Sequence, residues 1–262
     1  MTRIKLSNFT NADILYLKEY AQVMGPVATA LDLLQGENQA YLGCLLPTLG
    51  VAMKKLEKNL SGSVPLTFCK PLVLALLQGI KKRFDPLLND LECQLAAAFH
   101  PRFRLMWLQN REPDRVNAVK EAMVSQVEAC LKEEDEVAAA SSSDTSVEEN
   151  PEDDWYGTFT QAPVERGSRN VYKSKAETLV GTWLAGLSRV DLGDGAFMGE
   201  KVLSKLFIKF NTPVPSSAAV ERFFSQGKDI LKPKRASLAD DTFEMLMFLR
   251  GNKHHLRNLG DG

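Results

Sequence analysis

The stretch "SSAAVERFFSQGKDILKPKRASLADDTFEMLMFLRGN", residues 216–252, sets two oily segments on either side of a basic turn. On a helix starting after Ser217, Val220, Phe223 and Phe224 share one face, and Ile230 and Leu231 extend it. Phe243, Leu246, Met247 and Leu249 form a matching stripe on a second helix. The pair reads as a helical hairpin with a wide apolar surface. Burying each Phe is worth about 1.5–3 kcal/mol, so that surface must meet the rest of its domain or a second chain. Glu221 lies about 100° around the helix from Val220, on the rim of the apolar face. In a first turn the helix dipole favours its ionised form. Such a carboxylate can hold a metal ion or point at water. Arg222 and the turn residues Lys232, Lys234 and Arg235 can contact a phosphate backbone, or form a solvated connection.

Helical spacing continues upstream. Ile14, Leu17, Ala21, Met24, Ala28 and Leu31 recur at three and four residues behind a capping pair, Thr10 and Asp13. Gly25-Pro26 is expected to kink or split that helix. A second helix turns Leu45, Leu49, Met53, Leu56 and Leu60 inward and Lys54, Lys55 and Lys58 outward. A third is expected from about 65 to 89, and a fourth up to His100 before Pro101. A fifth, with Pro113 in its first turn, presents Val116, Val119, Met123, Val127 and Leu131. Beyond the acidic stretch, helices are expected at about 174–187, 195–210, 217–231 and 238–251, the last opened by Ser237 and Asp240. "WYGTF" at 155–159 reads as a short edge strand. The fold class is mainly α.

Charge divides the chain. Residues 1–132 carry 16 basic and 12 acidic side chains, 133–154 carry ten acidic and no basic ones, and 155–262 carry 16 basic and 11 acidic. Two mildly basic bodies are thus joined by an acidic segment with few bulky apolar residues, which is expected to be a disordered linker. The expected boundaries are a helical body over 6–132, the linker over 133–154, a C-terminal helical body over 155–252 and a tail over 253–262. Cys44, Cys69, Cys93 and Cys130 lie far apart without a Cys-x-x-Cys pair, which argues against a zinc finger and for reduced core thiols. The longest oily run, Pro71 to Leu77, is too short to span a bilayer, and the first ten residues lack the apolar run of a signal peptide. His100 reads as a helix-end or core histidine, and Trp107, Trp155 and Trp183 as packing residues.

Residues 212–252 resemble the C-terminal signature of the hAT transposase superfamily. Its carriers here are Ser216, Ser217, Glu221, Arg222, Phe224, Ser225, Gly227, Lys234, Arg235, Leu238, Leu246, Leu249 and Asn252. Upstream, "LLPTLGVAMKKLE" (45–57), "KKRF" (81–84) and "AAAFHPRFRLMWL" (96–108) resemble the helical insertion domain of animal members. The resemblance implies an RNase H-like core interrupted by a helical insertion, two Asp before it and one Glu after it, and divalent metal ions for DNA strand transfer. Glu221 matches the position of that Glu, while the two Asp would lie N-terminal to Met1. Two-metal chemistry needs several carboxylates converging on ions about 3.5–4 Å apart, so Mg²⁺ would be bound only with the full triad. The expectation is therefore an RNase H-like remnant without metal or cofactor, acting in the nucleus through dimerisation. Its partners would be a second copy or related transposase-derived proteins, with weak DNA contact and no membrane. Two alternatives stand beside it: the C-terminal part of an active transposase, and a non-specific DNA- or chromatin-binding module.

Overall fold

A computed structural model describes residues 9–36, 40–62, 65–141, 169–187, 192, 195–230 and 239–252. Among them the chain is mainly helical and forms no strand. The edge strand expected at 155–159 lies outside the described residues.

Helix α1 (Asn11–Leu34) opens on a capping box: Thr10 Oγ1 accepts the Asp13 N–H at 3.2 Å, and the Thr10 N–H donates back to Asp13 Oδ2 at 2.8 Å. Pro26 lies inside this helix, which is not split there. Its inward face also differs from the expected one. Ile14, Leu17 and Leu31 are exposed, whereas Glu19 and Val23 are buried. The cause lies on another element. The Glu19 carboxylate accepts three backbone N–H groups, from Thr67 at 2.7 Å, Phe68 at 2.8 Å and Cys69 at 3.0 Å. These donors belong to the three residues that lead into α3 (Lys70–Leu88), whose N-cap Cys69 makes no side-chain capping bond of its own. Desolvation raises the Glu19 pKa, but the N–H bonds outweigh it and hold the carboxyl below its usual range.

Helix α2 (Leu45–Ser61) follows its periodicity: Leu45, Leu49, Met53 and Leu56 are buried, with only Leu60 left exposed near the end. Its lysines face outward. Helix α4 (Leu91–Ala98) is capped by Asp90, which accepts the Cys93 N–H at 2.8 Å, and is buried from Cys93 onward. Helix α5 (Met106–Gln109) is a single turn.

Helix α6 (Val116–Ser141) takes in the first nine residues of the expected linker, 133–141. Glu133, Glu134, Glu136 and Ala138–Ala140 are good helix formers, and low hydrophobicity does not stop a helix that already has a packed face. Neighbouring helices also hold its acidic turn. Tyr172 donates to Asp135 Oδ2 at 2.8 Å, and Lys205 pairs with Glu134 at 2.5 Å. The remainder of the expected linker, 142–154, lies outside the described residues.

Tyr172 belongs to α7 (Arg169–Ala185) and Lys205 to α8 (Lys201–Asn211). Both helices pack into the same core as α4 and α6, so the expected separation into two bodies is corrected. Phe99, Met123, Val127, Trp183, Leu203 and Leu206 belong to one buried cluster. Burial of the apolar faces of α7 and α8 drives this union. Polar contacts fix its register. The fully buried Trp183 donates Nε1–H to the Ala98 carbonyl at 3.0 Å. The buried Arg104 guanidinium lies 4.5 Å from the Trp183 ring and donates to the Gly186 carbonyl. Asn211, at the end of α8, accepts the Gly43 N–H at 2.8 Å and donates to the Ala96 carbonyl at 3.0 Å. A Cβ at position 43 would stand 2.4 Å from the Ala96 oxygen and 2.6 Å from Asn211 Oδ1, so only glycine fits this junction.

Candidate dimerisation surface

Two further helices form the hairpin read from 216–252: α9 (Ala218–Ile230) and α10 (Asp240–Gly251). Helix α10 begins after Ala239, which provides no side-chain cap, while Asp240 and Asp241 sit in its first turn and complement its dipole. Ser237, expected to cap it, lies outside the described residues.

Glycines close the seam between the two helices. A Cβ added to the buried Gly227 would stand 3.1 Å from Met247 Sδ and 3.5 Å from the Phe243 ring. One added to Gly251 would stand 2.7 Å from the Phe223 ring. Phe223, Phe243 and Met247 therefore face each other's helix across small residues. The rest of the apolar surface turns away from the seam. Val220 is 49 % exposed, Phe224 64 %, Met245 64 %, Phe248 62 % and Leu249 45 %. Leu246 is half-buried.

The structure thus divides the expected dimerisation residues. Phe223, Phe243 and Met247 serve the seam, whereas Val220, Phe224 and Leu249 face outward. Ile230 ends α9, and its side chain is outside the description, as are Leu231, Lys232, Lys234 and Arg235. The sequence reading missed Met245 and Phe248. Their signal was the unbroken run "MLMFL" at 245–249, which places oily side chains on both sides of α10.

Glu221 is exposed, and the Ser217 hydroxyl donates to its Oε1 at 2.6 Å. No group of three or more His, Cys, Asp or Glu among the described residues is arranged to hold a metal ion. Arg222 donates from Nη2 to the carbonyl of Gln35, the C-cap of α1, at 2.7 Å. That contact satisfies a helix-end acceptor and ties the hairpin to the first helix. No helix among the described residues is long and apolar enough to cross a membrane.

No curated protein and no solved structure matches the chain. A family model does match over 201–252, a range that takes in α8, α9 and α10; its description is hAT family C-terminal dimerisation region. Its first helix is buried in the main core, while the other two carry the exposed apolar face. Residues 201–252 are therefore similar to the hAT family C-terminal dimerisation region, which supports reading them as the C-terminal part of a hAT transposase.

Proposed function

We propose that this protein acts by pairing with a second copy of itself or a related hAT-derived chain, through the outward face of the α9–α10 hairpin. The observation that carries the reading is the exposure of Val220, Phe224, Met245, Phe248 and Leu249 within the segment matching a dimerisation region. The seam of the hairpin is already closed by Gly227 and Gly251 against Met247 and Phe223, so these side chains are surplus to its own packing. Apolar patches of this kind, rimmed by polar residues, mark protein interaction sites. The reading places the protein in the nucleus, where its family's DNA substrate lies.

In this reading the chain performs no strand transfer by itself. Glu221 stands at the ancestral catalytic position but faces solvent with Ser217, without a converging set of carboxylates among the described residues. A lone carboxylate does not organise two-metal phosphoryl transfer.

Light scattering coupled to size-exclusion chromatography tests the association at tens of micromolar. A mass of twice the chain is expected; a strict monomer overturns pairing with a second copy. A Mg²⁺-dependent nicking assay is expected to be blank. Cleavage abolished by Glu221→Gln would overturn the non-catalytic reading.

A further inference from the structure

Between α1 and α2 lies a cavity of about 310 Å³. Pro26, Ala30 and Leu33 line it from α1, and Thr48, Val51 and Lys55 from α2, each set at intervals of three and four residues. That spacing makes one continuous stripe on each helix, and the space between the stripes is a groove. Phe103 adds an aromatic wall. Leu33 is 55 % exposed and Val51 54 %, so the apolar walls open to solvent. Cys44 and Lys55, eleven positions apart, end the stripe on α2, which gives the groove a length of about 16 Å. Arg102 belongs to the Cys44 end, because Nε2 of His100, two residues before it, lies 3.8 Å from Cys44 Sγ.

Helix α10 matches this groove in length, pattern and charge. Its 12 residues span about 18 Å. The exposed Met245, Phe248 and Leu249 stand at i, i+3 and i+4, the anchor spacing of a helix laid into a groove. The exposed Asp241 and Glu244 lie on the same side, towards the N-terminal end and away from the seam residues Phe243 and Met247. The groove carries a cation at each end, Lys55 and Arg102. Laid antiparallel to α2, α10 brings Glu244 to Lys55 and its C-terminal carbonyls to Arg102, where the helix dipole favours a cation.

Area and position favour the same occupant. Aromatic side chains bring about 150–250 Å² each, so the five outward hairpin residues at roughly half exposure offer on the order of 500 Å², short of the ~800 Å² per partner of a standard interface. The groove adjoins the hairpin. Arg222 of α9 bonds the carbonyl of Gln35 at 2.7 Å, two residues past Leu33. Under two-fold symmetry a contact of hairpin on groove is made twice, once by each chain, and enlists both surfaces.

Resting on the self-association proposed above, we infer that α10 of each chain lies in the α1–α2 groove of a second copy. Phe248 enters between Leu33 and Val51, with Met245 and Leu249 beside it. Glu244 pairs with Lys55 of the other copy, which fixes the direction of the helix in the groove. The hairpin is thus the plug of the interface and the α1–α2 groove its socket.

Sedimentation velocity of the full chain over a dilution series tests this by charge exchange. Lys55→Glu and Glu244→Lys each set like charges against one another at both contacts, and each is expected to raise the dimer Kd about tenfold or more. In an equal mixture of the two variants every contact again joins opposite charges. The mixed dimer is therefore expected to return to within about threefold of the unaltered Kd. Leu33→Asp with Val51→Asp, at exposed positions of the groove wall, is expected to weaken the dimer at least tenfold. Circular dichroism matching the unaltered protein shows that each variant is folded. A dimer indifferent to Lys55→Glu and to Leu33→Asp with Val51→Asp leaves self-association standing, gives the groove to some other occupant and overturns the inference. A mixture no tighter than its separate components overturns it as well. A strict monomer of the unaltered chain removes both the association and its socket.

Discussion

The Trp183 indole N–H donates to the carbonyl of Ala98 at 3.0 Å, although 85 positions separate the two residues. Around that bond, residues on both sides of the acidic stretch share one buried cluster. Co-expressed 1–141 and 169–262 are therefore expected to co-purify as a complex through gel filtration. Independent elution of the two pieces would show that the shared core does not hold them. Trp183→Ala in the intact chain is expected to cost about 3–5 kcal/mol, measured by denaturant unfolding.

Asn211 is a single-residue junction between the family-matched segment and the rest of the core. Asn211→Ala leaves the Gly43 N–H and the Ala96 carbonyl without their observed partner. A loss of about 2–4 kcal/mol is expected from two buried groups left unpaired. A change below about 0.5 kcal/mol in chemical denaturation would contradict that role.

The outward hairpin residues and the seam residues are expected to behave differently. Phe224→Asp with Phe248→Asp removes two exposed side chains from the pairing face and is expected to raise the dimer dissociation constant at least tenfold, about 1.4 kcal/mol. Helix content should stay unchanged. Gly227→Val drives a branched side chain toward Met247 and Phe243, and is expected to disturb the hairpin fold as well as the dimer. Sedimentation velocity and circular dichroism separate the two outcomes.

Acid destabilisation has two identifiable contributors. Burial first, and the Arg102 charge second, push the His100 pKa down to about 4 from 6.5. The unfolded chain therefore binds this proton more readily than the folded one. His100 costs no stability above pH 6.5, and its contribution falls as pH drops from there towards 4, by up to about 3 kcal/mol. Glu19 has a depressed pKa and acts lower. Its contribution is present above the usual carboxylate value of 4.5 and is lost as pH falls through its folded value. His100→Gln is expected to flatten the Tm profile between pH 6.5 and 4, while Glu19→Gln flattens it below 4.5 and lowers Tm at neutral pH. Unchanged profiles in both variants would remove these assignments.

Local spacing made much of this architecture legible. Leu45, Leu49, Met53 and Leu56 on α2, and Val119, Met123 and Val127 on α6, occupy the core that their three- and four-residue intervals imply. The face of α1 was not legible. Its determinant is a carboxylate satisfying N–H groups 48 to 50 positions away, a partnership without local periodicity. The end of α6 was obscured for a related reason. Glu134 and Asp135 resemble solvated linker residues until Lys205 and Tyr172 are brought beside them. Within the hairpin, both helices were evident, but not the division between seam and outer face. That division depends on where Gly227 and Gly251 allow close approach.

The side-by-side placement of Asp135 and Tyr172 has a consequence for measurement. The helix packing around that bond places the end of α6 and the start of α7 on one framework, so donor and acceptor dyes at these two helix ends would report the pairing directly.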